Sequence, residues 1–292
     1  MFYRVLLVFF FIFAVAEQSL FNVAFSSDYT VEGGTVTVFV RSDKALNSVN
    51  IMGFSSSFKA YQVWCKDYKY LYRAFVGIPV SSKQGKYAIT ISAKDIKGNV
   101  YNQKKILQVS KANFPFQYIS LPSKKKKLLS SPQLSKESKQ IRKIFKQPLD
   151  QVFFVDHFIW PAKGKISSPF GAHRKYNDGR TFSYHKGIDI AANVGEPVVA
   201  SNHGKVVLAE NYYSHGKTII IEHGHAVKTI YTHLNMIKVK KGSYVKRGSL
   251  IGAMGQTGIA TGSHLHFGLS IGDVRVNPIP WLEKKVQFYC QK

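Results

Sequence analysis

Ser263-His264-Leu265-His266-Phe267-Gly268 lies near the C-terminus of the chain. Apolar residues at every second position predict a β-strand, because successive side chains of a strand point to opposite faces. His264 and His266 then share one face, and Leu265 and Phe267 share the other. Two neighbouring imidazoles backed by an apolar layer suit a zinc site, although the pattern by itself fits a surface strand with solvated histidines equally well.

A second stretch, Tyr184-His185-Lys186-Gly187-Ile188-Asp189-Ile190, places a histidine and an aspartate four residues apart. The alternation of isoleucine around Asp189 favours a strand, and a straight strand separates residues four apart by roughly 13 Å. That distance is too long for one ion, so we predict a bend at Gly187. His185, Asp189 and one histidine of the first stretch then supply three ligands. Three protein ligands with an open fourth position describe a catalytic zinc site.

These two stretches, with Tyr231-Thr232-His233-Leu234 between them, resemble the lysostaphin-type (LytM-like) zinc endopeptidases, which cut the peptide part of bacterial peptidoglycan. The resemblance covers about residues 156–280. Further motifs match the family in the same order along the chain: Ser167-Ser168-Pro169-Phe170-Gly171, Gly195-Glu196-Pro197-Val198, Gly204-Lys205-Val206-Val207 and Gly258-Ile259-Ala260-Thr261-Gly262.

The resemblance implies a role for each residue of the site. His185, Asp189 and His266 hold one zinc ion per chain, and His233 and His264 are the catalytic histidines beside its open position. Such an ion lowers the pKa of its bound water to about 7 and polarises the scissile carbonyl, while a nearby histidine moves the proton.

The remaining acidic and histidine residues are assigned other roles. The sequence contains no His-Glu-x-x-His motif, and Glu222 is predicted to be a hairpin residue rather than the base. His223 and His225 flank a glycine turn and are predicted to face solvent. A substrate-side role stays open for His173, and His157 is predicted to be structural.

Composition and the N-terminus indicate where the protein works. Forty-one Lys and Arg against 16 Asp and Glu give a formal charge of +25, which attracts anionic partners. Residues 1–16 combine a short basic start, an apolar run and Ala14-Val15-Ala16, which predicts a secretory signal peptide; an uncleaved membrane anchor is the alternative. Either way we expect export to the periplasm or cell envelope, which removes nucleic acid from the predicted partners.

The rest of the chain is predicted to be mainly β. Residues 17–112 contain about seven short alternating runs between turn signals, which predict an immunoglobulin-like β-sandwich with a non-catalytic role. Residues 113–155 form a basic linker with a short amphipathic helix that Ser135 is expected to cap. Residues 156–280 form an antiparallel β catalytic domain, and residues 281–292 form a tail.

The two cysteines, Cys65 and Cys290, are not spaced as zinc ligands. An exported chain is able to join them, because oxidising compartments permit disulfides. Their separation in sequence gives no distance in space, so the bond stays open, with a slight preference for unpaired thiols.

The predicted function is zinc-dependent hydrolysis of the peptide cross-links between stem peptides, a DD-endopeptidase activity. The order of export signal, β domain, basic linker and catalytic domain resembles the envelope enzymes of diderm bacteria. The alternatives are a DD-carboxypeptidase acting on stem peptides and a catalytically silent wall-binding or activator protein. Predicted partners are stem peptides, anionic wall polymers or a membrane surface reached by the basic linker, and a regulatory protein.

Overall fold

The computed structural model describes residues 20–120, 122, 131–176 and 183–288. The predicted signal peptide at 1–16, the lysine run at 124–127 and Cys290 lie outside these residues. Within the described ranges, no helix combines the length and the apolar character needed to cross a bilayer.

The N-terminal domain is built around one eight-stranded sheet with the spatial order β1-β3-β6-β5-β4-β7-β8-β2. Its strands are β1 (Phe21–Phe25), β2 (Tyr29–Val31), β3 (Thr35–Ser42), β4 (Leu46–Gly53), β5 (Ser56–Val63), β6 (Tyr70–Gly77), β7 (Gly85–Asp95) and β8 (Val100–Ser110). Most of β5 pairs with β4, and its last residues, from Tyr61, pair with β6, so this strand joins the two halves of the sheet. The mainly β prediction is confirmed, while the immunoglobulin-like topology stays a prediction.

A strand and a helix connect this sheet to the C-terminal domain. They are β9 (Phe116–Ile119) and α1 (Pro132–Phe145). The predicted helix exists, but Ser131 rather than Ser135 caps it, with its hydroxyl accepting from the backbone N–H of Gln133 at 3.2 Å. Pro132 explains the earlier start, because proline suits the first helical position, where no N–H is needed.

The C-terminal domain contains the main antiparallel sheet of the predicted catalytic region, with the order β10-β13-β21-β17-β16-β15-β19 and β22 beside β21. Its elements are β10 (Lys165–Ser168), β11 (His173–Tyr176), β12 (Ser183–Tyr184), β13 (Ile188–Ala191), β14 (Pro197–Val199), β15 (Gly204–Tyr212), β16 (Gly216–Gly224), β17 (Val227–Leu234), β18 (Met236–Ile237), β19 (Tyr244–Val245), β20 (Leu250–Ala253), β21 (His264–Ile271), β22 (Val274–Val276) and α2 (Ile279–Leu282). Two small sheets, β12-β11-β9 and β14-β20-β18, flank the main sheet.

The two domains share one continuous hydrophobic core. Phe75 of the N-terminal domain contacts Trp281 and Phe288, with ring centroids 4.9 and 5.6 Å apart, and Phe154 packs against the same group. Trp281 and Phe288 lie in the segment predicted to be a tail, and both are buried. The N-terminal domain therefore packs directly against the catalytic region, and the predicted domain boundaries remain predictions.

Cys65 is disulfide-bonded in the structure. The slight preference for unpaired thiols in the sequence-based prediction is therefore wrong for this residue. Its error has a simple source, since separation along the chain does not limit how closely two segments approach in the fold.

The β16–β17 hairpin turns through His225 and Ala226, whose φ angles are +49° and +64°. Two residues with positive φ are typical of the type I′ turn that joins twisted strands. The prediction that His223 and His225 face solvent is wrong, because both are buried under the N-terminal domain and residues 151–154. Arg73 lies 3.0 Å from Nδ1 of His225, and Tyr61 stacks on its ring.

We predict that this interface makes the fold sensitive to acid. Burial, followed by the charge of Arg73, lowers the pKa of His225 to about 3 from its ordinary 6.5. Below pH 6.5 the unfolded chain therefore gains a proton that the folded chain excludes. The contribution of His225 to the free energy of unfolding is complete above pH 6.5. It falls by about 1 kcal/mol per pH unit as the pH drops toward 4.

His225→Asn tests this prediction, because asparagine accepts a hydrogen bond, tolerates positive φ and does not titrate. Urea unfolding from pH 7 to 4.5 should show a shallower pH dependence in the variant than in the wild type. Equal slopes in the two proteins would show that His225 does not contribute.

Candidate metal centre

The candidate metal centre lies where β13 and β21 pair in antiparallel register. Asp189 lies directly opposite His266, and Ala191 lies opposite His264. Directly opposed residues point to the same face of a sheet. The pairing therefore places one carboxylate and two imidazoles on one face, which we call the metal face; it carries His264, His266, Gly268 and Ser270 of β21.

The bend between β12 and β13 brings the third side chain to the same place. A Cβ atom at Gly187 would lie 2.4 Å from the carbonyl oxygen of Phe267 and 2.8 Å from Cε1 of His266. Only glycine fits this close approach, and the chain bends at Gly187 as predicted. His185 consequently reaches over the strands, with Nε2 at 3.0 Å from Oδ1 of Asp189.

Three potential ligand atoms converge at this point. Nε2 of His185 lies 2.9 Å from Nδ1 of His266, which in turn lies 2.9 Å from Oδ1 of Asp189. Two imidazole nitrogens and one carboxylate oxygen form a donor set that zinc favours. These distances let one cation contact all three atoms after small adjustments, so the residues present fit a zinc ion.

The charge states of these side chains suit metal binding. Burial by itself would raise the pKa of Asp189, but the imidazoles of His185 and His266 beside its carboxylate outweigh burial and hold that pKa far below its usual range. Burial lowers the pKa of His266 to about 4, against the opposing effect of Asp189. The site therefore presents a carboxylate and a neutral imidazole at neutral pH, the forms that bind metals.

A second layer of side chains orients the ligands. The guanidinium of Arg174 donates to Oδ2 of Asp189 and, at 2.7 Å, to the hydroxyl of Ser168, which leaves Oδ1 for the metal. Nδ1 of His185 lies 2.8 Å from the carbonyl oxygen of Pro169. A carbonyl only accepts hydrogen bonds, so this nitrogen carries the proton and Nε2 keeps a free lone pair.

The strand β9 reaches this second layer from the linker. The hydroxyl of Ser168 donates to Oε1 of Gln117 at 2.6 Å, and β9 pairs in parallel with β11, which carries Arg174. The roles of Arg174, Ser168 and Gln117 are not among the predictions made from the sequence. Arg174 and Ser168 lie in the sequence shortly before the first ligand stretch, and their charge and hydroxyl group were the available signal. Nothing in the sequence connects Gln117 to the site.

His233 and His264 lie beside the three ligand atoms, with their ring centroids 4.8 Å apart. Nδ1 of His233 donates to the carbonyl oxygen of Thr257 at 2.8 Å, and Nδ1 of His264 donates to that of Gly262 at 2.9 Å. Both Nε2 atoms are therefore unprotonated in the neutral rings. Nε2 of His264 lies 3.9 Å from Oδ1 of Asp189.

The backbone of His233 adopts a φ of +63°, which is uncommon for a residue other than glycine. Its N–H donates to the carbonyl oxygen of His215 at 3.1 Å, which helps to hold this conformation. Burial, followed by the nearby His264 and His266, lowers the pKa of His233 well below its ordinary value. The strained backbone thus presents a neutral imidazole, a combination that is common at functional sites.

The structure places the other candidate residues outside this cluster. Glu222 is fully buried in an ion pair with Lys228, as expected for a hairpin residue and unlike a base. His173 stacks on Phe116 with a centroid distance of 4.9 Å, and its substrate-side role stays a prediction. Nδ1 of His157 pairs with Asp156 at 2.6 Å.

Part of the chain is similar to known proteins. Residues 183–278 match the model of Peptidase family M23. The peptidoglycan DD-endopeptidase ShyA of Vibrio cholerae is 40% identical over 116 residues, covering 40% of this chain and 27% of that protein. The DD-carboxypeptidase/endopeptidase Mpg of Neisseria meningitidis is 39% identical over 115 residues, covering 39% and 26%.

A solved structure extends the similarity to most of the chain. The crystal structure of a Pseudomonas aeruginosa protein described as a peptidase M23 is similar with a TM-score of 0.63 and 25% identity, over 86% of this chain and 94% of that one. The chain spans about a quarter of the length of the curated relatives named above. The matched region, residues 183–278, contains both ligand stretches and His233, and this part of the chain belongs to peptidase family M23.

Proposed function

We propose that the protein is a zinc-dependent peptidoglycan hydrolase that cleaves the peptide cross-links between stem peptides as a DD-endopeptidase. The observation that carries this proposal is the convergence of His185, Asp189 and His266 on one point, with His233 and His264 beside it. The matching DD-endopeptidase ShyA supports the reaction class. We also propose that the protein acts in the periplasm or cell envelope.

In this proposal His185 Nε2, Asp189 Oδ1 and His266 Nδ1 hold one zinc ion. When bound, zinc supplies a Lewis acid that polarises a carbonyl and acidifies water. The chain itself fixes the geometry, because Arg174 holds the second oxygen of Asp189 and the carbonyl of Pro169 fixes the His185 tautomer.

His233 and His264 handle the proton in the proposed reaction. Each ring is oriented by a backbone carbonyl at Nδ1, so that an unprotonated Nε2 remains available. One ring accepts a proton from the attacking water and returns it to the amine nitrogen as the peptide bond breaks. The low pKa of His233 keeps it in the accepting form at neutral pH.

A carboxypeptidase activity and a non-catalytic activator role are the two alternatives to the DD-endopeptidase function. The name of the matching Neisseria protein includes a carboxypeptidase activity, and trimming of the terminal residue of a stem needs the same site chemistry. A catalytically silent activator is disfavoured, because such a protein would be expected to lack one or more ligands, and here all five side chains of the site are present.

The first prediction for this function concerns the metal. His185→Ala, Asp189→Ala and His266→Ala should each abolish hydrolysis and release zinc, because each removes one of three ligand atoms. Metal analysis after dialysis measures the zinc, and His203→Ala, a histidine outside the cluster, serves as the control. One stoichiometric zinc with normal turnover in any of the three variants would remove that residue from the site.

The next prediction separates proton transfer from metal binding. His233→Ala and His264→Ala should keep the zinc and lose about 10²–10⁴-fold in kcat, the usual contribution of general acid–base catalysis. Turnover of purified peptidoglycan and zinc content are measured on the same samples. Loss of the metal from either variant would mean that a ligand had been assigned wrongly.

The substrate prediction compares three purified compounds. The enzyme should convert cross-linked dimers to monomers, which mass spectrometry detects. Free pentapeptide stems and pentaglycine are the alternatives offered. Cleavage of pentaglycine alone, or trimming of stems alone, would contradict the DD-endopeptidase assignment and leave the metal assignment intact.

A further inference from the structure

A positively charged cavity lies on the metal face, with α1 on one side and Lys186, His215, Asp273 and Arg275 on the other. Its charged lining consists of Lys139, Arg142, Lys186, Arg275 and a single carboxylate, Asp273. Asp273 already pairs with Lys146 at 3.7 Å. The cavity therefore holds a surplus of positive charge with no matching carboxylate in its lining.

The helix α1 closes one side of this cavity. Ile141 and Phe145 pack on Leu208, Ile220 and Ile230, whose side chains share the metal face. The acidic residue of α1, Glu137, is already engaged, because it accepts from the backbone N–H groups of residues 213 and 214 and pairs with His215. The helix thus contributes cations to the cavity and no free carboxylate.

Arg275 is the central residue of the cavity. Its guanidinium lies over the ring of Phe145 at 3.8 Å, and its Nη1 atom is buried with no hydrogen-bond partner in the part of the chain that the structure describes. A buried donor without an acceptor is unfavourable. Burial lowers the pKa of Arg275 to about 9, which still leaves it charged at neutral pH.

Arg275 belongs to β22, which pairs with β21, the strand that carries His266. It opposes Ser270 of β21, and its Nη1 atom is 3.5 Å from the position of a Cβ atom at Gly268. Gly268 follows the ligand His266 by two residues, which is about 7 Å on a strand. The carbonyl oxygen of Lys186, the residue after His185, lies 3.2 Å from the same position.

The proposed substrate carries an anion close to its scissile bond. In a D-alanyl cross-link to a diamino acid with two carboxyl groups, the carbon that bears the amide nitrogen also bears a carboxylate, three bonds from the scissile carbonyl carbon. The terminal D-alanine of an uncross-linked stem has a carboxylate in the same relation. An internal glycine bond has a further amide there instead.

We propose that Arg275, assisted by Lys186 and Arg142, binds the carboxylate adjacent to the scissile amide, so that the cavity selects bonds flanked by a free carboxylate over internal peptide bonds. This inference rests on the proposed function and adds the substrate group that the site recognises. The planar guanidinium suits the task, because it binds a carboxylate through two parallel hydrogen bonds. The buried Nη1 atom then gains the acceptor that it lacks.

The test compares two substrates and three classes of variant. The substrates are a cross-linked dimer with the free carboxylate and the same dimer with that carboxylate amidated. Arg275→Gln and Lys186→Gln remove charges from the cavity. Arg275→Lys keeps the charge but lacks the planar guanidinium with its paired N–H donors. Lys240→Gln removes an exposed charge elsewhere and is the control. Zinc content and thermal unfolding verify that each variant is loaded and folded.

We expect Arg275→Gln to lower kcat/KM about ten- to a hundredfold on the free-carboxylate dimer, mainly through KM, and to have little effect on the amidated dimer. Lys186→Gln should act in the same direction, and Arg275→Lys should lie between Arg275→Gln and the wild type. Equal losses on both dimers, or an equal loss in Lys240→Gln, would overturn the proposal by indicating general charge attraction.

A binding measurement separates failure of this inference from failure of the proposed function. Calorimetry with a D-alanyl–diamino-acid dipeptide and its amide needs no turnover. If the wild type cuts neither dimer, the proposed function fails. The cavity assignment then stands only if two results are found together. The dipeptide must bind the wild type more tightly than Arg275→Gln, and the amide must bind both proteins equally.

Discussion

The pairing of β13 with β21 is the constraint on which the rest of the site depends. It sets Asp189 directly opposite His266 on one face of the sheet, and a shift of one residue would turn one of the two side chains into the core. Leu265 and Phe267 hold the register from the other face, because both are fully buried. The ligand geometry is therefore a consequence of core packing, and the glycine at 187 adds His185 to it.

Segments that flank the catalytic sheet in the sequence contact its metal face. The linker supplies Gln117 near the ligands through β9, and α1 lies across the strands farther along. The N-terminal domain contributes to the common core with Trp281 and Phe288 and encloses the hairpin at His225. The segments outside the region matched to the family thus form part of the surroundings of the site.

Much of the fold and of the site was predicted from patterns within short stretches of sequence. Alternation identified β16, β17 and β21, and the distance between His185 and Asp189 required the bend that Gly187 provides. The errors came from long-range packing. His223 and His225 are buried because another domain covers their turn, and Ser131 displaced Ser135 as the cap because Pro132 begins the helix. The contact of Arg174 with Asp189 spans two strands that no sequence periodicity relates.

A crystal structure of the zinc-loaded protein with anomalous scattering at the zinc edge tests the proposed ligand set directly. We predict one zinc peak about 2.0–2.2 Å from His185 Nε2, Asp189 Oδ1 and His266 Nδ1, with His233 and His264 outside bonding distance of the ion. A zinc ion bound directly by His233 or His264, or found away from these three atoms, would contradict it.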